Sequence, residues 1–158
     1  VSLARKQWEK KRPRMMRPKN LVKIAAIRLL ARREHSRRDL AQKLALRGFD
    51  HMAINAVLDV LEQEDLLSES RFIGSIVRTR SQRGVGPLKI IAELQRHGIA
   101  QREIEKDEDW QIIDWVQVAQ QAKIKRFGED KPQNMQEQSK QYRFLIQRGF
   151  LPEHIVFA

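Results

Sequence analysis

Four histidines, His35, His51, His97 and His154, are the neutral-pH bases of this 158-residue chain, and none stands three or four residues from another. A helix-borne metal pair needs that spacing. No Ser-His-Asp set or pair of catalytic carboxylates can be assembled from the pattern either. There is no cysteine, which excludes disulfides, thiolate metal sites and thiol catalysis and fits a reducing compartment. Gly84-Val85-Gly86-Pro87 has the glycines of a phosphate loop without its Gly-Lys-Ser/Thr continuation, and no strand pattern precedes it. The expectation is therefore no enzyme, no cofactor and no metal.

What remains is recognition by charge. Arg71 and Arg78 share the polar face of one helical stretch, Lys89 and Arg96 that of the next, and Arg83 lies between them. Arg37, Arg38, Lys43 and Arg47 crowd a third stretch. Guanidinium and ammonium groups so placed suit an acidic protein surface or DNA phosphate; the same residues also make an ordinary solvated face. Lys89 and Glu93, four apart, can pair with each other for about 0.3 kcal/mol. Arg80 falls on the apolar side of its helix end, where it snorkels outward or binds a carboxylate at a module junction. The segment 36–49 resembles the first half of a helix-turn-helix. The helix that follows is acidic, with Asp59, Glu62, Glu64 and Asp65, which argues against insertion into a major groove.

These charges must be carried by elements, and the elements repeat. KLALRGF, ELQRHGI and FLIQRGF end at Gly48, Gly98 and Gly149, about fifty residues apart. Leu44, Leu94 and Leu145 stand four before each glycine; Phe49, Ile99 and Phe150 stand one after; Ile54, Ile104 and Ile155 stand six after. A glycine tolerates the left-handed turn that closes a helix, and the apolar residue behind it folds back onto that helix. Gly86 with Pro87 opens a helix instead, since proline fits the first helical position. A helix also precedes each glycine-ended one: 21–34, apolar around most of its circumference and expected to be deeply buried; 70–82, with Phe72, Ile73, Ile76 and Val77 on one face; and 110–127, with Ile112, Trp115, Val116 and Ala119. The third helix is clear in the first unit through Ile54, Val57, Leu58 and Leu61, and weak in the other two. Trp110 and Trp115 are expected at a seam between units. Segment 127–139 reads as a flexible link within the third.

The expected fold is all-α, an elongated tandem array of three three-helix modules, at 20–67, 68–109 and 110–158, the last with its final helix short or truncated. Residues 1–19 form a basic arm of net charge +7, while the three modules carry +1, +1 and +2 of the total +11. Such an arm suits a polyanion, or is a solvated tail. No apolar run approaches the ~18 residues of a membrane span, so a cytoplasmic monomer is expected.

The stretch SRFIGSIVRTRSQRGVGPLKIIAELQRHGI carries a resemblance. Arg71-Phe72, Arg78-Thr79-Arg80, Gly84-x-Gly86-Pro87, Lys89-Ile90, Glu93-Leu94 and Gly98-Ile99 resemble the RecX family of regulatory proteins, and SRRDLAQKLALRGF and KQYRFLIQRGF fit it more loosely. The resemblance spans roughly residues 21–158 and leaves out the arm. It implies a regulator that binds the RecA–DNA filament and inhibits recombinase, ATPase and coprotease activities, modulating DNA repair and the SOS response. The alternative is a basic helical protein that binds single- or double-stranded DNA directly, weakly and in a salt-sensitive manner.

Overall fold

The computed structural model describes residues 18–157 together with Leu3, Ala4 and Gln7. The basic arm lies almost wholly outside the described residues. From residue 18 onward every regular element is a helix: α1 (Pro18–Arg32), α2 (Arg37–Leu46), α3 (His51–Gln63), α4 (Glu69–Gln82), α5 (Pro87–Arg96), α6 (Gln101–Lys106), α7 (Glu108–Gln111), α8 (Trp115–Phe127), α9 (Met135–Gln147) and a 3-10 turn at Pro152–His154. The chain parts into two compact units between Glu69 and Ser70.

In the first unit α1, α2 and α3 close around Val22, Ala26, Leu29, Leu40, Leu44, Ile54, Leu58 and Leu61. The spacing of these residues puts one apolar stripe of each helix inward. α1 is less enclosed than its composition suggests. Ala25 and Ala26 face the core while Leu21 and Ile27 are exposed, because two partner helices cover only part of its circumference. Ser36 caps α2 by accepting the Asp39 N–H at 3.1 Å, and Asp50 caps α3 through the Ala53 N–H at 3.2 Å. Each such cap satisfies a donor that the first helical turn leaves open.

In the second unit α4, α5 and α6 bury Phe72, Ile73, Val77, Ile90, Leu94, Ile99 and Ile104. The third three-helix group is thinner: Ala119, Ala122, Leu145 and Phe150 are its buried apolar residues, and Trp115, Val118, Phe144 and Ile155 pack around them. So small a core leans on its neighbour. Trp115 belongs to both clusters, and its ring centroid lies 5.0 Å from that of Trp110.

The helix expected over 110–127 is two helices. Trp110 lies in α7, and α8 starts at Trp115 because Asp114 takes the Gln117 N–H at 3.1 Å. Ile112 falls in the break and is 80% exposed, and Val116 is exposed as well. The buried face of α8 runs instead through Ala119, Ala122 and the stem of Lys123. Ile155 likewise follows the 3-10 turn rather than sitting inside a third helix.

The three glycines adopt the left-handed conformation, with φ of 86° at Gly48, 85° at Gly98 and 96° at Gly149. Each closes its helix with the same pair of bonds. The glycine N–H donates to Ala45, Gln95 or Ile146, and the next N–H to the carbonyl of Leu44, Leu94 or Leu145.

Candidate charged surfaces and family

The cations singled out in the sequence divide by what they touch. Arg37 is half-buried and holds Asp59 at 2.7 Å and Glu62 at 3.1 Å, so the acidic end of α3 is bound by the basic start of α2. Lys43 sits on His35 instead: its ammonium donates to Nε2 at 3.0 Å, while Nδ1 of the same ring bonds the Arg33 carbonyl at 3.0 Å. His35 is 2% exposed. Burial pushes its imidazole below the ordinary range, aided by the charges of Lys43 and Arg33, against the pull of the Arg33 carbonyl. Burial and Arg33 lower Lys43 too. Nothing in the spacing of His35 marked it as a core residue. Arg38 and Arg47 are exposed.

In the central module Arg78 pairs with Asp109 at 2.9 Å across to α7, and Arg71 is half-buried on the same helix. Arg80 reaches the Glu93 carboxylate with two nitrogens, Nε at 2.8 Å and Nη2 at 2.7 Å. That fork ties α4 to α5 inside one module rather than across a junction, and it takes the carboxylate that Lys89 stood to pair with. Hydrogen bonds from Arg80 hold the Glu93 carboxyl below its usual range, against desolvation. Glu93 is accordingly half-buried, while Lys89, Arg96 and Arg83 are exposed.

The loop Gly84–Pro87 docks on the end of α9. Gly86 N–H donates to the Arg148 carbonyl at 2.8 Å and Leu88 N–H to the Gly149 carbonyl at 3.0 Å. A side chain on Gly86 would collide with the backbone of Gly149 and Phe150, so only glycine admits this approach. Arg148 bonds back to the loop, its Nε donating to the Gly84 carbonyl at 3.1 Å and its Nη2 to that of Arg83. Sequence reasoning marked Gly86, Pro87 and Gly149 as turn residues but not their mutual packing, and it missed Arg148. Among the described residues, no three His, Asp or Glu side chains gather as a metal ion would need. No described helix is long and apolar enough to cross a membrane.

The comparison with known proteins matches this succession of three-helix units. Family models match in tandem: RecX, first three-helix domain, over residues 23–61; RecX, second three-helix domain, over 68–106; and RecX, third three-helix domain, over 113–158. The chain belongs to the RecX family. The regulatory protein RecX of Halorhodospira halophila is 43% identical over 134 residues, covering 85% of this chain and 83% of its own. That of Pseudomonas entomophila is 38% identical over 134 residues, covering 85% and 86%. Two crystal structures share the fold. A regulatory protein RecX superimposes with a TM-score of 0.72 at 19% identity, over 87% of this chain and 71% of its own. RecX from Lactobacillus salivarius gives 0.68 at 20%, over 87% and 91%. The arrangement is thus that of a RecX regulatory protein built from three tandem three-helix domains.

Proposed function

We propose that this chain binds the filament that a RecA recombinase forms on DNA and restrains it, lowering ATP turnover, strand exchange and coprotease activity. The observation that carries the reading is the tandem match of all three RecX domains to one chain, with relatives that are named regulatory proteins. A repeat array suits a partner that is itself a repeat, because successive modules can engage successive protomers and gain affinity by avidity. No catalytic residue is required: occupancy of the filament groove impedes the motions of turnover. The protein acts as a cytoplasmic monomer. Its partner-facing charges are Arg38 and Arg47 in the first module and Arg83, Lys89 and Arg96 in the second, all exposed, since Arg37, Arg78 and Arg80 are engaged by carboxylates within their modules.

The test is the ATP hydrolysis rate of the cognate recombinase on single-stranded DNA, with the protein added below one copy per recombinase subunit, at two salt concentrations. Inhibition that persists in the higher salt is expected. K89E/R96E should weaken it about tenfold, by analogy with rim charges that steer association, with helicity unchanged. Inhibition that vanishes with salt and follows DNA occupancy alone would sink the filament reading.

A further inference from the structure

We infer that the seam between the second and third modules carries an anion site, a groove for the phosphate backbone of single-stranded nucleic acid. The groove has a volume of about 550 Å³ and is lined by Arg83 from the end of α4, Lys125 and Arg126 from the end of α8, Arg148 from the end of α9, and Gln121 and Phe144 between them. No carboxylate is among its lining residues. This distinguishes its cations from three of those singled out in the sequence, and here four cations converge on one recess. Arg37, Arg78 and Arg80 each face a carboxylate, whereas no described acidic side chain pairs with Arg83, Lys125, Arg126 or Arg148. Four cations drawn into one recess repel one another, and a bound anion relieves that repulsion.

The site is built before any ligand arrives. Two backbone carbonyls, those of Gly84 and Arg83, pin the Arg148 guanidinium. A Cβ on Gly84 would sit 3.0 Å from that of Ala122, so the loop and α8 are already in van der Waals contact at the groove floor. Phe144 packs edge-on to Phe127 at 5.3 Å, and the Arg126 guanidinium lies 5.6 Å from the Phe127 ring. Cations interleaved with aromatic rings form the platform on which single-stranded bases stack while phosphates are neutralised. Duplex DNA is read by an element that protrudes into a groove; a recess takes a flexible strand instead. Free phosphate would leave most of this volume empty, and an acidic peptide would leave the aromatic ring without a stacking partner.

The inference does not rest on the filament reading, and its experiment contains no recombinase. The full chain is titrated into a fluorescein-labelled oligothymidylate, and anisotropy is followed from low to moderate salt. K125E/R126E should lose about tenfold or more in affinity, and its log–log salt slope should flatten by about 1.4, near 0.7 for each phosphate no longer neutralised. R28E/R32E, the same charge change on two exposed arginines of the first module, should lose less than about twofold. If the reversal unfolds the chain by circular dichroism, K125Q/R126Q replaces it, with an expected loss of about threefold and the same direction of slope. Native-like binding by the groove variants overturns the site. So does equal loss in both charge-reversed variants, since net charge then suffices, and so does displacement of the strand by polyglutamate as readily as by unlabelled oligothymidylate.

Discussion

Glu93 shows how one side chain changes meaning between sequence and structure. Its spacing offered Lys89, four positions before it on the same face, but the structure gives it Arg80, thirteen positions away, in a two-pronged bond. Such a charge-assisted fork stabilises by about 2 kcal/mol when both partners are half-enclosed. E93Q should therefore lower the urea midpoint of the second unit by a corresponding amount. The carboxyl is held below its unfolded range, so the contribution is complete above about pH 5 and is lost as acid protonates it; the difference between native and E93Q should shrink on going from pH 7 to pH 3. His35 runs the other way in charge but the same way in pH. Its folded form resists protonation, so below about pH 6.5 the unfolded chain binds the extra proton and stability falls. NMR titration of the His35 ring should give a midpoint below 6.5; a midpoint at or above it would contradict the burial described for this ring. Neither partner could be read from spacing, because Glu93 and His35 are defined by helices that meet only in three dimensions.

The helix ends were the most legible elements. A glycine four after a leucine and one before an apolar residue states its own geometry, since the left-handed turn and the apolar fold-back are local. The start of α8 was not legible. The apolar residues between Trp110 and Ala119 suggest one continuous helix, and the short break that lets Asp114 act as a cap is set by packing of Trp110 against Trp115. The basic groove was legible only in Arg83. Lys125, Arg126 and Arg148 come from the ends of two further helices and converge only through the docking of the Gly84–Pro87 loop. The three glycines also separate here. Gly48 has nothing within 4 Å of where a side chain would begin, whereas at Gly149 a Cβ would meet the backbone nitrogen of Lys89 at 2.9 Å. G48A should cost about 1–2 kcal/mol, the strain of a left-handed L-residue. G149A should cost about 1–3 kcal/mol more, because overpacking at the seam adds to the same strain. Thermal or urea denaturation of the two variants gives the comparison directly, and equal losses would mean that the seam yields without strain.

For the molecule as a whole the seam decides how many independent bodies the second unit presents to a partner. The third module has too small an apolar core to stand by itself, and it shares Trp115 with the second. The joint is made of main-chain hydrogen bonds, Gly86 to Arg148 and Leu88 to Gly149, with the Arg148 side chain bonded back to the loop. Bonds of this kind resist sliding, because shifting the register by one residue leaves several buried backbone groups unpaired at once. The second and third modules should therefore open together. Native-state hydrogen exchange offers the measurement: the amides of Gly86 and Leu88 should be protected to the same free energy as core amides such as Ile90, although they lie outside any continuous helix ladder or at a helix start, where exchange is ordinarily fast. R148A removes the side-chain half of the joint while leaving the two main-chain bonds possible. It should lower protection on both sides of the seam, in α5 and in α9, by a similar amount. Loss confined to α9 would show instead that the third module opens by itself, and the filament contact proposed above would then be made through a hinge where the structure shows a clasp.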